Sequence, residues 1–217
     1  TVSEGETVDY RIVSKLPSIK SEASYLTKYT FADQLDGGIQ YVQNSVAISF
    51  YDSETDAKQG TGTAAATWEN GSGNFSADFD DAGNTMTVSM TSDGLAAINP
   101  GMTDKYMVVS YKATVNSDAD VVLGDNGNTN NVTLTWSRTN TDEEDTIEDR
   151  ARVYSYGLNL SKVFSDNNGD ASQVQFVLRN ETDGHYVIAA GSNGVYHVTG
   201  NDKGVAEENG TVFSPAQ

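Results

Sequence analysis

The sequence contains no cysteine. That single absence removes disulfide cross-links, thiolate metal sites and a cysteine nucleophile together. Cations are also scarce: 13 Lys and Arg stand against 31 Asp and Glu, giving a formal charge of -18 and a pI near 4.2. Binding to a phosphate backbone draws its affinity from clustered Lys and Arg, so a nucleic-acid partner is excluded. No apolar run approaches the roughly 20 residues of a membrane-spanning helix. The N-terminus carries no signal-peptide pattern, so on a secreted reading the chain is processed or cut material. Helical periodicity is scarce as well, and only "TSDGLAAINPG" reads as a short helical turn, stopped by Pro100 and Gly101.

What the chain has in quantity is alternation. Short segments rich in Thr, Val, Tyr and Ile are separated by Gly, Asn, Asp and Ser, the pattern of an antiparallel all-β sandwich. A two-residue period turns Val8, Tyr10 and Ile12 inward, then Val46, Ile48 and Phe50, then Met86, Val88 and Met90. Met107, Val109, Tyr111, Ala113 and Val115 form a fourth inward row, and Val132, Leu134 and Trp136 a fifth. The run "TNTDEEDTIEDR", from Thr139 to Arg150, is charged and poor in apolar residues, which reads as a linker. It divides the chain into a domain over 1–150 and a second, shorter unit over 151–217 in which the alternation resumes.

Three polar residues break the inward rows. Asp33 shares a face with Tyr29, Phe31 and Leu35; Asn130 shares one with Val132, Leu134 and Trp136; and Lys162 shares one with Leu158, Leu160 and Phe164. Each has an ordinary alternative: Asp33 capping the turn at Asp36, Gly37 and Gly38, Asn130 belonging to the Asn-rich loop before its strand, Lys162 snorkelling from a strand end. Taken together they spell a chemistry. Burial strips a lysine of its proton and leaves a carboxyl group its own. A neutral amine held against an Asn amide, with a protonated acid polarising the carbonyl, attacks and expels ammonia, leaving an isopeptide bond.

The series "GETVDYRIVSKLPS", "YTFADQLDGGIQYVQNSVAI", "MVVSYKATVNSDA" and "GNTNNVTLTWS" resembles the stalk domains of sortase-assembled major pilins of Gram-positive bacteria. "VYSYGLNLSKVFSDNNGDASQVQFVL" resembles the start of the collagen-adhesin B-type domain that follows in those pilins. The resemblance implies tandem immunoglobulin-like sandwiches, each closed by a spontaneous Lys–Asn isopeptide bond with an acid beside it. It implies no turnover of an external substrate and no cofactor or metal. Asp33 matches the acid, Asn130 the bonding Asn of the first domain with Asn128 as a same-parity alternative, and Lys162 the first-strand Lys of the second domain. The first domain's bonding Lys belongs upstream of "GETVDY", where only Thr1 to Glu4 stand; Lys15, Lys20 and Lys28 lie near or beyond that strand's end and are not substitutes. The second unit equally lacks the later half that carries its Glu and Asn. The resemblance places the protein outside the cell on a cell-wall-anchored pilus, joined end to end to identical subunits by sortase, with adhesion supported and any host ligand unknown.

Competing readings rest on fewer residues. His185 and His197 lie on expected strands in the second unit, without a Ser-His-Asp arrangement. "DNNGD" places Asp166, Asn168 and Asp170 at alternate positions but lacks the sixth-position Gly and twelfth-position Glu of an EF-hand loop. An adhesin presenting an exposed aromatic is the main alternative, with Trp68 as its candidate platform, against a place for Trp68 on a strand edge.

Overall fold

A computed structural model describes residues 5–116, 125–139, 141, 144–155, 157–165, 168–182, 184–198 and 205–216. Ten strands make the first unit: β1 (Thr7–Lys15), β2 (Leu26–Leu35), β3 (Ile39–Tyr41), β4 (Ala47–Tyr51), β5 (Ala66–Glu69), β6 (Phe75–Asp80), β7 (Thr85–Met90), β8 (Tyr106–Val115), β9 (Asn128–Arg138) and β10 (Asp145–Val153). They form two antiparallel sheets. One runs β1-β8-β4-β5, with β3 also paired to β8; the other runs β10-β9-β2-β7-β6. This is the all-β sandwich that the alternation predicts, and the immunoglobulin-like form that the resemblance implies.

The inward rows meet in one core. Phe31, Ile48, Phe50, Met86, Val88, Met107 and Val109 are fully buried. At roughly 1.5–3 kcal/mol for each large apolar side chain removed from water, this layer dominates the stability of the unit. Val108, on the opposite face of β8, is buried too, because helix α1 (Glu54–Gln59) lays Ala57 over it. Ser53 caps α1 by accepting from the Asp56 amide, and Gly60 ends it at φ 67°. Helix α2 (Ser92–Ile98) is the helical turn expected from the sequence. The Asn99 side chain that follows it accepts from Leu26 N at 3.0 Å and donates to Leu26 O at 2.9 Å, standing in for a strand at the start of β2.

The segment expected to be a linker is, from Asp145 onward, strand β10, paired with β9 from Asp145↔Trp136 to Val153↔Asn128. Its residues are exposed along nearly its whole length, including Ile147 at 59% on the side that faces inward. A strand that overhangs the opposite sheet has water on both faces and needs no apolar row, which is why its composition reads as a linker. Residue 150, the expected boundary, falls inside it. The chain also enters and leaves this sandwich at one end: Gly5 N donates to Val115 O, and Val153 lies opposite Asn128.

The second unit is built from short pieces: β11 (Arg179–Asn180) with β12 (His185–Tyr186), and β13 (Ala189–Ser192) with β14 (Val195–Val198). Tyr196 and Phe213 meet edge to face, and Phe176 bridges to Phe213. Among the described residues no helix is long and apolar enough to cross a membrane.

Candidate functional site

Asp33 lies in the middle of the second sheet, opposite Met86 on β7 and Val132 on β9. It is fully buried. Asn130, 2% exposed, enters from β9 two residues from Val132 and on the same face. The other sheet supplies three tyrosines. Tyr10 and Tyr111, cross-strand partners on β1 and β8, stack at 5.1 Å, and Tyr41 on β3 packs 5.4 Å from Tyr111. The site is a polar island between two apolar sheets.

Its hydrogen bonds are incomplete. Asn130 Nδ2 donates to the Tyr111 hydroxyl at 2.7 Å, and the Tyr41 hydroxyl donates to the Asp33 carbonyl at 2.8 Å. Both carboxyl oxygens of Asp33, Asn130 Oδ1 and the Tyr10 hydroxyl are buried without a hydrogen bond of ordinary geometry. Burial pushes the Asp33 pKa from 3.8 up to about 6, against the nearby Tyr111, Tyr41 and Asn130 dipoles, which pull it back down. Burial and then the Asp33 charge push the phenols of Tyr111 and Tyr41 well above their ordinary range, and Tyr10 likewise. An acid that stays protonated longer than usual therefore faces an amide carbonyl whose oxygen has no donor. Replacing Tyr111 with Phe strands the Asn130 amide as well, and urea unfolding of Tyr111→Phe is expected to show a loss of about 1–2 kcal/mol.

Among the described residues of this unit, no cation enters the island. Lys28, Lys58, Lys105 and Lys112 pair with Glu144, Glu54, Asp52 and Asp9, all at the surface. Lys15 lies over the Tyr106 ring, exposed as its outward parity requires. Asn128, the same-parity alternative, is also fully buried, but its amide donates to Val153 O at 3.4 Å, at the sheet's end.

Lys162 does not share an inward face with Leu158, Leu160 and Phe164. It is exposed, with its ammonium 5.1 Å from the Phe164 ring, and Leu158 and Leu160 are 70% and 53% exposed. No strand is formed over 157–165, so nothing gives the alternation two sides. Trp68 is not a surface platform either: it sits on the edge strand β5, buried, with its ring 4.7 Å from Phe50. His185 and His197 fall on β12 and β14 and are exposed. Asp166 lies outside the described residues, and Asp170 accepts from Ser172 in a local turn.

The tyrosines are the members that sequence reasoning misses. Parity marks Tyr10 and Tyr111 as core residues, and a core tyrosine looks the same whether its hydroxyl is idle or engaged. The usable signal is that a buried tyrosine needs a partner for its hydroxyl, and the unexplained inward polar groups are Asp33 and Asn130.

No protein-family model matches this chain, and no curated protein does. Solved structures do. The pilus 2b backbone protein of group B streptococcus superposes with a TM-score of 0.60 at 18% identity, over 99% of this chain and 73% of that one. The 35 kDa C-terminal fragment of the major pilin GBS80 of Streptococcus agalactiae gives 0.53 at 16% identity, over 86% and 56%. Domains D2 and D3 of the major pilin SpaD from Corynebacterium diphtheriae give 0.51 at 18%, over 70% and 48%. The chain thus spans about half to three quarters of these structures. Its fold is that of Gram-positive backbone pilins, as the sequence resemblance implies.

Proposed function

We propose that this chain is part of a pilus shaft subunit that ties its own sandwich with a Lys–Asn isopeptide bond. The observation that carries the reading is the Asp33 carboxyl, buried in a hydrophobic core beside Asn130, with neither its oxygens nor the Asn130 carbonyl oxygen in a hydrogen bond of ordinary geometry. A buried acid with no cation beside it among the described residues and only poorly aligned donors is a standing cost to the fold, and an incoming lysine amine lowers it.

The edges described above offer that amine a route. Among the described residues the outer edge of β1 carries no strand, and the inward side of β10 in the other sheet is exposed at Ile147. A strand laid beside β1 completes the first sheet over β10, and a lysine on it points towards Asn130. Its neutral Nζ attacks Asn130 Cγ, while protonated Asp33 donates to Oδ1 and so polarises the carbonyl. The tetrahedral intermediate then collapses: the C–Nδ2 bond breaks, the amine proton passes through Asp33 to the leaving nitrogen, and ammonia departs. Asp33 ends as it began. The tyrosines wall the site from water, which otherwise competes as nucleophile. Asn130 fits this role better than Asn128, whose amide is turned to the sheet's end. For the second unit the same chemistry is proposed for Lys162, on condition that 157–165 enters a sheet. The boundary near residue 150, the sortase linkage between identical subunits and the cell-wall location belong to this proposal.

Intact mass of the full-length natural protein is expected to fall short of the sequence mass by one ammonia per bonded domain, with peptide mapping placing one link on Asn130. Asp33→Ala is expected to keep the ammonia in that domain and to make it easier to digest. A link found on Asn130 in Asp33→Ala protein would remove Asp33 from the reaction.

A further inference from the structure

The two ends of the second sheet carry opposite, unspent charges. At one end, where β2 begins and β9 finishes, a cleft of about 290 Å³ is lined by Trp136, Ser137, Arg138, Thr141 and Asp145. The Arg138 guanidinium lies 4.7 Å from the Trp136 ring, and its Nε is buried with no acceptor. Asp145 lines the cleft without forming an ion pair with it among the described residues. In a chain of charge -18, this is a guanidinium held over an aromatic ring with no carboxylate paired to it among the described residues. A guanidinium resting over a ring has lost much of its freedom already, so pairing its Nη groups with a carboxylate costs little further entropy.

At the other end, the turn between β6 and β7 bears Asp80 and Asp81, both exposed. They border a pocket of about 320 Å³ that also includes Tyr41 and Asn84. Asp80 Oδ1 accepts from the Ala82 amide, which fixes the turn. Register puts the two features at opposite ends of the sheet: Leu26 lies opposite Arg138, whereas Gln34 lies opposite Thr85, which in turn lies opposite Asp80. Along a strand of ten residues that separation is about 30 Å. One copy cannot bring its own two ends together.

We propose that the Trp136–Arg138 cleft receives the Asp80–Asp81 turn of a second copy of this chain. A contact between different surfaces at opposite ends leaves a free cleft and a free turn after every addition, so it builds a line and does not close. The assignment rests on the shaft reading only in naming that line as the fibre axis.

The test uses this chain and a synthetic peptide of residues 77–85. NMR of the Arg138 Nε–H and the Trp136 indole N–H is expected to show a saturable shift with the peptide. A peptide carrying Asn at positions 80 and 81 gives none. Arg138→Gln is expected to abolish the response and Arg138→Lys to weaken it at least tenfold, since an ammonium lacks the planar edge. Sedimentation of the concentrated chain should show salt-sensitive linear growth that Arg138→Gln removes. No shift with the wild-type peptide, or an equal shift with acetate at the same concentration, overturns the assignment. Ammonia loss in full-length protein is expected to be untouched by Arg138→Gln, so failure of the cross-link and failure of this contact register separately.

Discussion

Asp33→Asn is expected to gain about 3 kcal/mol on the parent chain between pH 3.5 and pH 7, measured as the change in their stability difference. The figure is the shift from 3.8 to about 6 taken at 1.36 kcal/mol per pH unit. The sign follows from proton counting. Below pH 3.8 the carboxyl is protonated both folded and unfolded, and burial exacts no ionic penalty. Between 3.8 and about 6 the unfolded chain has released its proton while the folded chain still holds it, so stability falls as pH rises. Above about 6 both forms are ionised and the loss is complete. An Asn at position 33 never ionises and shows none of this slope. Taking the difference between the two proteins cancels the other carboxylates. Urea unfolding at half-unit pH steps in the uncross-linked chain measures it, and two parallel curves would show that Asp33 is solvated after all.

The second large effect is expected at Asn84, outside the island. Its backbone sits at φ 45°, and its Nδ2 donates to Leu35 O, Asp36 O and Ile39 O at 3.1, 3.0 and 2.7 Å. One amide group thus ties the β6–β7 turn to the bend between β2 and β3. Asn84→Ala loses these bonds, worth together about 2 kcal/mol, and with them the local side-chain hydrogen bonding that lets Asn, unlike Ala, occupy the left-handed region, a further cost of about 1–2 kcal/mol. The expected loss is about 3–4 kcal/mol by urea unfolding. Asn84→Gly shares the first cost but escapes the second, and is expected to be the more stable variant by about 1 kcal/mol. Equal losses would mean that the backbone conformation is not strained. Because the same bend carries Tyr41 to the Asp33 carbonyl, Asn84→Ala is also expected to shift the Asp33 titration.

How much of this was legible in the sequence depended on where water lies. β2, β7, β8 and β9 are central strands with one side in the core, so a two-residue period shows their inward rows and, with them, the misplaced polarity of Asp33 and Asn130. β10 overhangs the opposite sheet and lies at its own sheet's edge, so no row of apolar residues marks it, and its charge made it look like a linker. Helix α1 has only six residues, too few for a helical period, although Ser53 and Gly60 stand at its two caps. Over 157–165 the alternation is present in the sequence but no partner strand divides its two sides. The tyrosines escaped for a different reason: periodicity reports which side a residue is on, and says nothing about what its hydroxyl meets there.

The shared end at which the chain enters and leaves the sandwich has a bearing on load. Tension between Gly5 and Val153 acts across the strands. β1 then peels from β8, and β10 from β9, one ladder bond at a time, where a lengthwise pull would spread the load over a whole row. A sandwich threaded this way yields at the force of its weakest terminal hydrogen bond unless a covalent rivet stands inside the peeling front. Asn130 lies near the start of β9 and upstream of β10, so a bond from there to a strand before β1 takes the load off everything from β1 to β8 and leaves only β10 and the rest of β9 free to peel.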